Sequence, residues 1–208
     1  APMLIGLFGG TFDPPHLGHL AICREAVRDL HVEQLLWVLT PTPPHKTHRQ
    51  ITSLPHRLAM VQLAMKGTNY KLSRADIDRP APHYAVDTVH IVREQNPDAQ
   101  LLYLMGSDSL NNLPAWHRAQ EFVATLDFIG VMHREGELPN LQALEMHLPG
   151  LSSRVRFVEA PRVDISASQV RTLIKRGKPF EHLLPSVVAD YIKKNNLYQS
   201  PTPTPEPV

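Results

Sequence analysis

Cysteine is nearly absent from this chain, since Cys23 is the only one among 208 residues. A single cysteine excludes an internal disulfide and a metal site built from several cysteines, and it suits a reducing compartment. Uninterrupted apolar runs are also short, well below the roughly 18 residues that a membrane span requires. We therefore expect no membrane-spanning segment and a cytoplasmic location, with residues 1–10 containing a first strand and not a signal peptide.

Excess charge is missing as well, because 21 Lys and Arg nearly balance 20 Asp and Glu for a formal net charge of +1. Attraction to a polyanion must then come from a local cluster, and the lack of a basic stripe argues against a nucleic-acid partner. The composition, 42% hydrophobic and 20% charged, is that of an ordinary globular protein. We predict one domain over residues 1–198 and a disordered, proline-rich tail over residues 199–208.

Short apolar runs alternate with amphipathic stretches along the chain. The runs predict strands over residues 3–8, 35–39, 101–105, 128–132 and 155–158. The stretches predict helices whose apolar stripes are Leu20, Cys23, Val27 and Leu30, then Leu58, Val61 and Met65, then Ala85, Val89 and Val92, and last Val187, Val188, Tyr191 and Ile192. Residues 134–153 are polar and predict a variable helical excursion. This alternation is typical of the α/β class, with a doubly wound parallel sheet covered on both faces and a small C-terminal helical part.

A glycine-rich segment follows the first predicted strand, where residues 9–19 read GGTFDPPHLGH. Open parallel sheets bind ligands at such a junction, between the carboxyl end of a strand and the start of a helix. Gly9 and Gly10 lack Cβ, so their backbone can adopt positive φ and approach an anion closely. The Rossmann pattern Gly-x-Gly-x-x-Gly is absent here, so the phosphate site must be built differently.

Two histidines in this segment are three residues apart. His16 and His19 should share one helix face, and Gly18 between them removes a side chain that could obstruct a phosphate. Both imidazoles could then donate to one polyphosphate. A metal-binding pair and a purely structural pair are the alternatives, although no third ligand at a suitable spacing stands out.

A second junction carries hydroxyls and a cation. Residues 165–171 read ISASQVR, follow an apolar strand and open a helical pattern. Ser166 or Ser168 could cap that helix, and Arg171, one turn inside, could add a charge-assisted hydrogen bond to an anion. A capped surface helix without a ligand is the alternative.

Both segments resemble signatures of one enzyme family. Residues 9–19 resemble the His-x-Gly-His signature of the nucleotidylyltransferase superfamily and are close to the wording of bacterial nicotinate-nucleotide adenylyltransferases. Residues 165–171 resemble the family's Ile-Ser-Ser-Thr-x-x-Arg motif, with Ala167 and Ser168 at the middle positions. The resemblance runs in motif order from residue 3 to residue 198, and it implies the Rossmann-like fold of nucleotidylyltransferases.

The resemblance also implies the site residues. Catalytic roles fall to His16, His19, Lys46 and Arg171. ATP-binding roles fall to Gly9, Gly10, Thr11, Phe12, His16, Gly18, His19, Gly106, Asp108, Ile165, Ser166, Ser168 and Arg171. Acceptor-binding roles fall to His45, Lys46, Tyr84, Ala85, Asp108, Trp116 and Arg134. Trp116 matches a tryptophan that stacks on a pyridine ring, and the helix starting near Ala85 would receive a carboxylate on its backbone N–H groups.

One departure from the family concerns the segment before that helix. His83 and Ala85 stand where the family usually has serine and threonine, so a hydroxyl expected near the carboxylate is missing. The reaction class does not depend on that hydroxyl. The preference for an acceptor with a carboxylate over one with a carboxamide depends more directly on that hydroxyl.

The implied reaction transfers AMP from ATP to nicotinate mononucleotide, giving deamido-NAD and pyrophosphate in NAD biosynthesis. Mg²⁺ would enter with ATP, since the sequence shows no carboxylate cluster and magnesium favours waters and phosphate ligands. The partners would be the small-molecule substrates ATP and nicotinate mononucleotide, with no nucleic acid and no membrane. A homo-oligomer is an open alternative. The alternatives are a same-fold transferase using nicotinamide mononucleotide or another phosphate acceptor, and a non-catalytic nucleotide sensor.

Overall fold

The computed structural model describes residues 1–43, 50–136 and 138–201. The strands are β1 (Leu4–Gly10), β2 (Gln34–Leu39), β3 (Lys71–Ser73), β4 (Gln100–Gly106), β5 (Phe128–His133) and β6 (Val155–Glu159). The helices are α1 (Leu17–Leu30), α2 (Leu54–Ala64), α3 (Ala85–Gln95), α4 (Ser107–Asn112), α5 (Ala119–Thr125), α6 (Leu141–His147), α7 (Leu151–Arg154), α8 (Ala167–Lys175) and α9 (Ser186–Lys194). Short 3₁₀ turns lie at Leu113–Ala115 and Glu181–Leu183.

The strands form a single parallel sheet in the order β3-β2-β1-β4-β5-β6. Strand order reverses between β1 and β4, which are hydrogen-bonded neighbours. A crevice opens outside the carboxyl ends of the strands at such a point. The sheet therefore confirms the α/β prediction and places the ends of β1 and β4 at the position where this architecture binds ligands.

Two apolar cores cover the two faces of the sheet, because side chains alternate between faces along each strand. Leu102 and Leu104 of β4 point into the core under α1, α2, α8 and α9. Leu101 and Met105 point into the opposite core, under α3, α4, α5, α6 and α7. Both faces are covered, which explains why the strands are apolar runs without alternating polar residues.

Most predicted elements are confirmed, including helices within residues 134–153, but several details were wrong. Strand β3 was not predicted, and Gly9 and Gly10 belong to β1 instead of breaking it. On α2 the buried residues are Arg57, Met60, Val61 and Ala64, so its inner face is rotated from the predicted stripe. Val187, assigned to the inner face of α9, is 40% exposed.

No helix within the described ranges is long and apolar enough to cross a bilayer. The described residues end at Pro201, so residues 202–208 of the predicted tail lie outside them.

Candidate active site

Two histidines cap the start of α1 by holding each other's backbone. His16 is the N-cap residue, and its Nδ1 accepts a hydrogen bond from the backbone N–H of His19 at 3.3 Å. In return, Nδ1 of His19 accepts from the backbone N–H of His16 at 3.1 Å. The rings stack with their centroids 3.7 Å apart. Because both Nδ1 atoms accept, the hydrogen of each neutral ring is on Nε2, which is therefore its donor atom.

The two rings differ in burial. His16 is 5% exposed, whereas His19 is half-buried. Burial lowers the pKa of His16 to about 4, so this ring is neutral at pH 7. His16 can thus offer a ligand a neutral N–H but no positive charge, and His19 is the more accessible of the pair.

The glycines before this helix do not use the positive φ that glycine allows. Neither Gly9 nor Gly10 has a positive φ, and the left-handed residue in the loop is Phe12, with φ 50°. A Cβ on Gly10 would lie 3.1 Å from the ring of Phe12, which stacks on Trp37 with centroids 4.8 Å apart. Gly10 therefore makes room for an aromatic core. Phe12 as a whole is 2% exposed, so its ring belongs to that core and does not face a nucleotide.

The first and last βα junctions meet at Gly18. A Cβ on Gly18 would lie 2.8 Å from the ring of His16 and 3.1 Å from the carbonyl oxygen of Ile165. No side chain fits there, so glycine lets the two junctions touch. The guanidinium of Arg171 joins them again, since its Nη1 donates to the carbonyl oxygen of Asp13 at 2.8 Å.

Helix α8 begins at this junction with a reciprocal cap. Oγ of Ser166 accepts from the backbone N–H of Gln169 at 3.0 Å, and the Gln169 side chain accepts from the backbone N–H of Ser166. Of the two candidate caps, Ser166 is thus the cap, and Ser168 is exposed in the first turn. The structure brings His16, Gly18, Ile165 and Arg171 together, as the two motifs predicted.

The end of β4 forms the opposite side of the crevice. Gly106 is exposed and caps α4, and a Cβ built on it would meet open space. Asp108, in the first turn of α4, is exposed and makes no hydrogen bond or ion pair within the described ranges. Its carboxylate is thus presented to solvent at the switch point of the sheet.

A cavity of about 750 Å³ collects the predicted acceptor residues. Its walls include Tyr84, Ala85 and Trp116, together with His83 and His117, which the motifs did not single out as ligands. Residues of α4 also line it, so the cavity adjoins the carboxyl end of β4. Its volume lies within the range of small-molecule sites, about 300–1,000 Å³.

Aromatic contacts fix two walls of this cavity. The half-buried ring of Trp116 packs edge-on against Tyr103, with centroids 6.3 Å apart, and lies 5.3 Å from Phe122. The ring of Tyr84 stacks on His117 with centroids 4.0 Å apart. Trp116 is anchored by the core on one side and lines the cavity on another, so it is both a packing residue and a cavity wall.

A buried ion pair between Arg79 and Asp76 fixes the start of α3 beside the cavity. Arg79 donates to Asp76 at 3.0 Å, to the carbonyl oxygen of Tyr84 at 3.1 Å and to the hydroxyl of Thr88 at 2.9 Å. Tyr84 is the N-cap residue of α3, and its side chain caps no backbone N–H. The first-turn N–H groups next to Ala85 are thus left without a side-chain cap at the cavity wall, where the helix dipole favours an anion.

A buried arginine that sequence reasoning missed organises the loops around the crevice. Arg57 is 2% exposed, and its guanidinium donates to four backbone carbonyl oxygens, those of Thr11, Thr40, Pro41 and Thr52. The one available signal was its spacing, because Arg57 shares a helix face with Met60, Val61 and Ala64.

The remaining predicted positions are Arg134, His45 and Lys46. Arg134 follows β5 and is exposed. His45 and Lys46 lie outside the described residues. Within the described ranges no group of three or more His, Cys, Asp or Glu side chains could hold a metal ion.

Comparison with known proteins agrees with this geometry. A family profile described as cytidylyltransferase-like matches residues 7–173. A probable nicotinate-nucleotide adenylyltransferase of Thermomicrobium roseum is 39% identical over 207 residues, covering 97% of this chain and 96% of that protein. The chain belongs to the nicotinate-nucleotide adenylyltransferase family.

Other relatives agree at the level of sequence and fold. The nicotinate-nucleotide adenylyltransferase of Bacillus subtilis is 32% identical over 201 residues, covering 94% of this chain and 98% of that protein. Among solved structures, the nicotinic acid mononucleotide adenylyltransferase of Plasmodium falciparum, complexed with APC, superposes with a TM-score of 0.73 at 18% identity over 94% of this chain and 97% of that one. The nucleotidylyltransferase fold is thereby shown.

Proposed function

We propose that this chain transfers the adenylyl group of ATP to nicotinate mononucleotide, giving deamido-NAD and pyrophosphate. The observation that carries the proposal is the junction of the first and last βα turns, where Gly18 meets Ile165 and Arg171 bonds to Asp13. Two helix starts and a cation lie together there, which suits a triphosphate. The family membership supports the same reaction.

Catalysis in this reaction consists of alignment and charge neutralisation. A phosphate oxygen of the acceptor attacks the α-phosphorus of ATP, and pyrophosphate leaves on the opposite side. The nucleophile is already an anion, so no general base is needed, and the rate depends on placing both reactants and on stabilising charge. We assign that work to His16, His19, Arg171 and Ser168, and to Lys46.

The two histidines divide this task unequally. His16, neutral at pH 7, orients His19 through the reciprocal cap and supplies a neutral Nε2–H. His19 is the more exposed donor and the one we assign to the phosphate chain. Phosphate contacts from the backbone of Gly9, Gly10, Thr11 and Phe12 complete the proposed ATP site, with Asp108 and Gly106 on the ribose side.

The acceptor occupies the cavity at the start of α3. Trp116 offers a fixed aromatic face for a pyridine ring, and the uncapped N–H groups next to Ala85 suit the carboxylate of nicotinate. A carboxamide would present no negative charge to the same helix start. This arrangement favours the acid over the amide even though His83 and Ala85 replace the hydroxyl-bearing residues of relatives.

A divalent cation accompanies the triphosphate, and we take it to be Mg²⁺. Among the described residues no group of three or more His, Cys, Asp or Glu side chains could hold a metal ion, so the ion would be held mainly by the phosphates of ATP and by water. We place the reaction in the cytoplasm, in keeping with the single buried Cys23.

Pyrophosphate release tests the proposal. The purified chain is given ATP and magnesium with nicotinate mononucleotide, with nicotinamide mononucleotide, or with no acceptor. We expect rapid release with the acid, slower release with the amide and almost none without an acceptor. Equal rates with both acceptors would refute the assigned acid preference, and no release with either, despite ATP binding, would identify a nucleotide sensor.

A further inference from the structure

The carboxylate of Asp13 is buried inside the loop between β1 and α1, at 1% exposure. The hydroxyl of Tyr198 donates to its Oδ1, and the backbone N–H of Thr52 donates to its Oδ2 at 3.2 Å. The carbonyl oxygen of the same residue accepts from Arg171 at 2.8 Å. One residue thus joins the first loop to α8, to the segment before α2 and to the segment after α9.

A buried carboxylate is costly unless donors satisfy it, so its presence calls for a structural or functional reason. Its burial and its hydrogen bonds to the protein exclude direct contact with substrate as its main role. Its carbonyl oxygen, however, fixes one end of the Arg171 guanidinium, which the proposed function assigns to the phosphate chain. A shift of Asp13 would therefore move both Arg171 and the loop that leads to His16.

The hydrogen bond from the Tyr198 hydroxyl to Asp13 is maintained by the protonation of the hydroxyl and by the packing of the ring. Burial, together with the neighbouring Asp13 carboxylate, raises the pKa of the Tyr198 hydroxyl, so it stays a donor at neutral pH. The backbone of Tyr198 has φ 66°, in the left-handed region that disfavours a bulky side chain. Its ring packs against the core formed under α1, α2, α8 and α9, which offsets that local strain.

We propose that Tyr198 is a positioning residue for adenylyl transfer, acting through Asp13 to hold Arg171 and the first loop in their ATP-binding arrangement. The proposal rests on the proposed function for its kinetic readout. It extends the site from the two signature motifs to a tyrosine 185 residues away in sequence from Asp13.

A second tyrosine provides a matched control. The hydroxyl of Tyr191 on α9 bonds to Nδ1 of His56 on α2 at 2.7 Å. It too ties the C-terminal part of the chain to the body of the protein through one hydroxyl. Its hydroxyl and its ring both contact His56 of α2, so the Tyr191→Phe variant removes a similar hydrogen bond at a different place, between α9 and α2.

The experiment compares Tyr198→Phe with Tyr191→Phe in the full chain, measuring melting temperature and both substrates' kinetic constants. We expect both variants to remain folded. For Tyr198→Phe, kcat/KM for ATP should fall at least about tenfold, because small misplacements of catalytic groups are costly, while KM for nicotinate mononucleotide stays within about twofold. Tyr191→Phe should keep all kinetic constants within about twofold of the parent chain.

A double-mutant cycle sharpens the test. Asp13→Asn should cause the same ATP-selective defect, and adding Tyr198→Phe to it should cause little further loss, since both changes break one connection. Additive losses would overturn the proposal. Kinetic constants of Tyr198→Phe that match those of Tyr191→Phe would also overturn it. This second comparison does not need the Asp13→Asn variant, so it holds even if that variant fails to fold.

Failure of the proposed function would be visible separately. If the parent chain binds ATP but releases no pyrophosphate, the reaction is wrong, and the positioning role is then decided by the Kd for ATP. Tyr198→Phe must weaken ATP binding at least about tenfold relative to Tyr191→Phe. Equal Kd values would overturn the role of Tyr198.

Discussion

At the scale of single residues, the two histidines at the start of α1 are fixed by each other. Their spacing in sequence predicted a shared helix face, but it could not show that each Nδ1 would accept from the other residue's backbone. That exchange leaves Nε2 as the donor on both rings. The difference in burial between the two rings, by contrast, comes from their positions in the fold.

Replacing His19 with alanine removes a proposed phosphate donor. We expect turnover to fall at least about a hundredfold, as losing one such donor costs ~2.7–4 kcal/mol of transition-state stabilisation. The lost cap should cost a further 0.5–2 kcal/mol or so of folding stability, which leaves the protein folded. Kinetics and thermal unfolding measure the two effects, with His90→Ala as control, since His90 is a half-buried histidine of α3 bonded to Glu121. Near-normal turnover of His19→Ala would refute the assignment.

The burial of His16 predicts a pH-dependent stability. Its pKa falls from 6.5 in the unfolded chain to about 4 in the folded protein, so the unfolded state binds more protons between those values. The contribution of the neutral ring is full above pH 6.5 and is lost as pH falls toward 4, by about 3 kcal/mol in all.

His16→Asn tests this, because asparagine can still cap α1 but does not titrate there. Urea unfolding from pH 7 to pH 4 should show a shallower loss of stability for the variant than for the parent chain. Parallel curves would mean that His16 is not the group responsible.

At the scale of elements, the start of α8 combines a folding role with a proposed binding role. The side-chain oxygen of Ser166 caps α8 by accepting a hydrogen bond from a backbone N–H. The side-chain oxygen of Asn140 caps α6 in the same way, by accepting from the backbone N–H of Ala143. Substituting either by alanine should cost about 1 kcal/mol of stability. Only Ser166→Ala should also raise KM for ATP, because α8 starts at the proposed phosphate site.

Denaturant unfolding and initial rates of the Ser166→Ala and Asn140→Ala variants decide this. If both variants lose stability and neither changes KM for ATP, Ser166 caps a helix and takes no part in binding.

Local patterns predicted the long elements well and the short ones poorly. The predicted strand over residues 101–105 lies within β4, because a buried parallel strand is a continuous apolar run. Strand β3 has three residues, Lys71–Ser73, and carries no such signal. The positive φ of Phe12 was likewise hidden, since the backbone conformation there depends on the ring stacking on Trp37.

Arg57 shows the same limit for the site. A charged side chain is rarely fully buried, so composition places it at the surface. It is buried because it pairs with carbonyl oxygens from three separate stretches of chain, and such pairing is a tertiary property. The motifs thus located the junctions, whereas the buried polar contacts that hold them together needed the structure.

At the scale of the whole molecule, two parts of the C-terminal segment, residues 198–201 and residues 202–208, should differ in importance. Composition predicts that residues 202–208 are a disordered tail, so their deletion should leave melting temperature and turnover unchanged. Deleting residues 198–201 as well removes Tyr198 and its bond to Asp13. That longer deletion should lower both quantities, and thermal unfolding with a pyrophosphate assay would measure them.

A loss of activity on removing residues 202–208 alone would contradict the predicted boundary. It would show that the domain extends past residue 198.

The contact between Arg171 and Asp13 joins residues 158 positions apart, so it depends on nearly the whole polypeptide. On a ribosome the first loop emerges early and must wait for α8 and the segment beyond it before its partner exists. Loop-closure entropy makes such distant contacts form late in folding. A chain released before synthesis is finished would therefore contain the glycine–histidine signature but lack the contact that orders the proposed phosphate site.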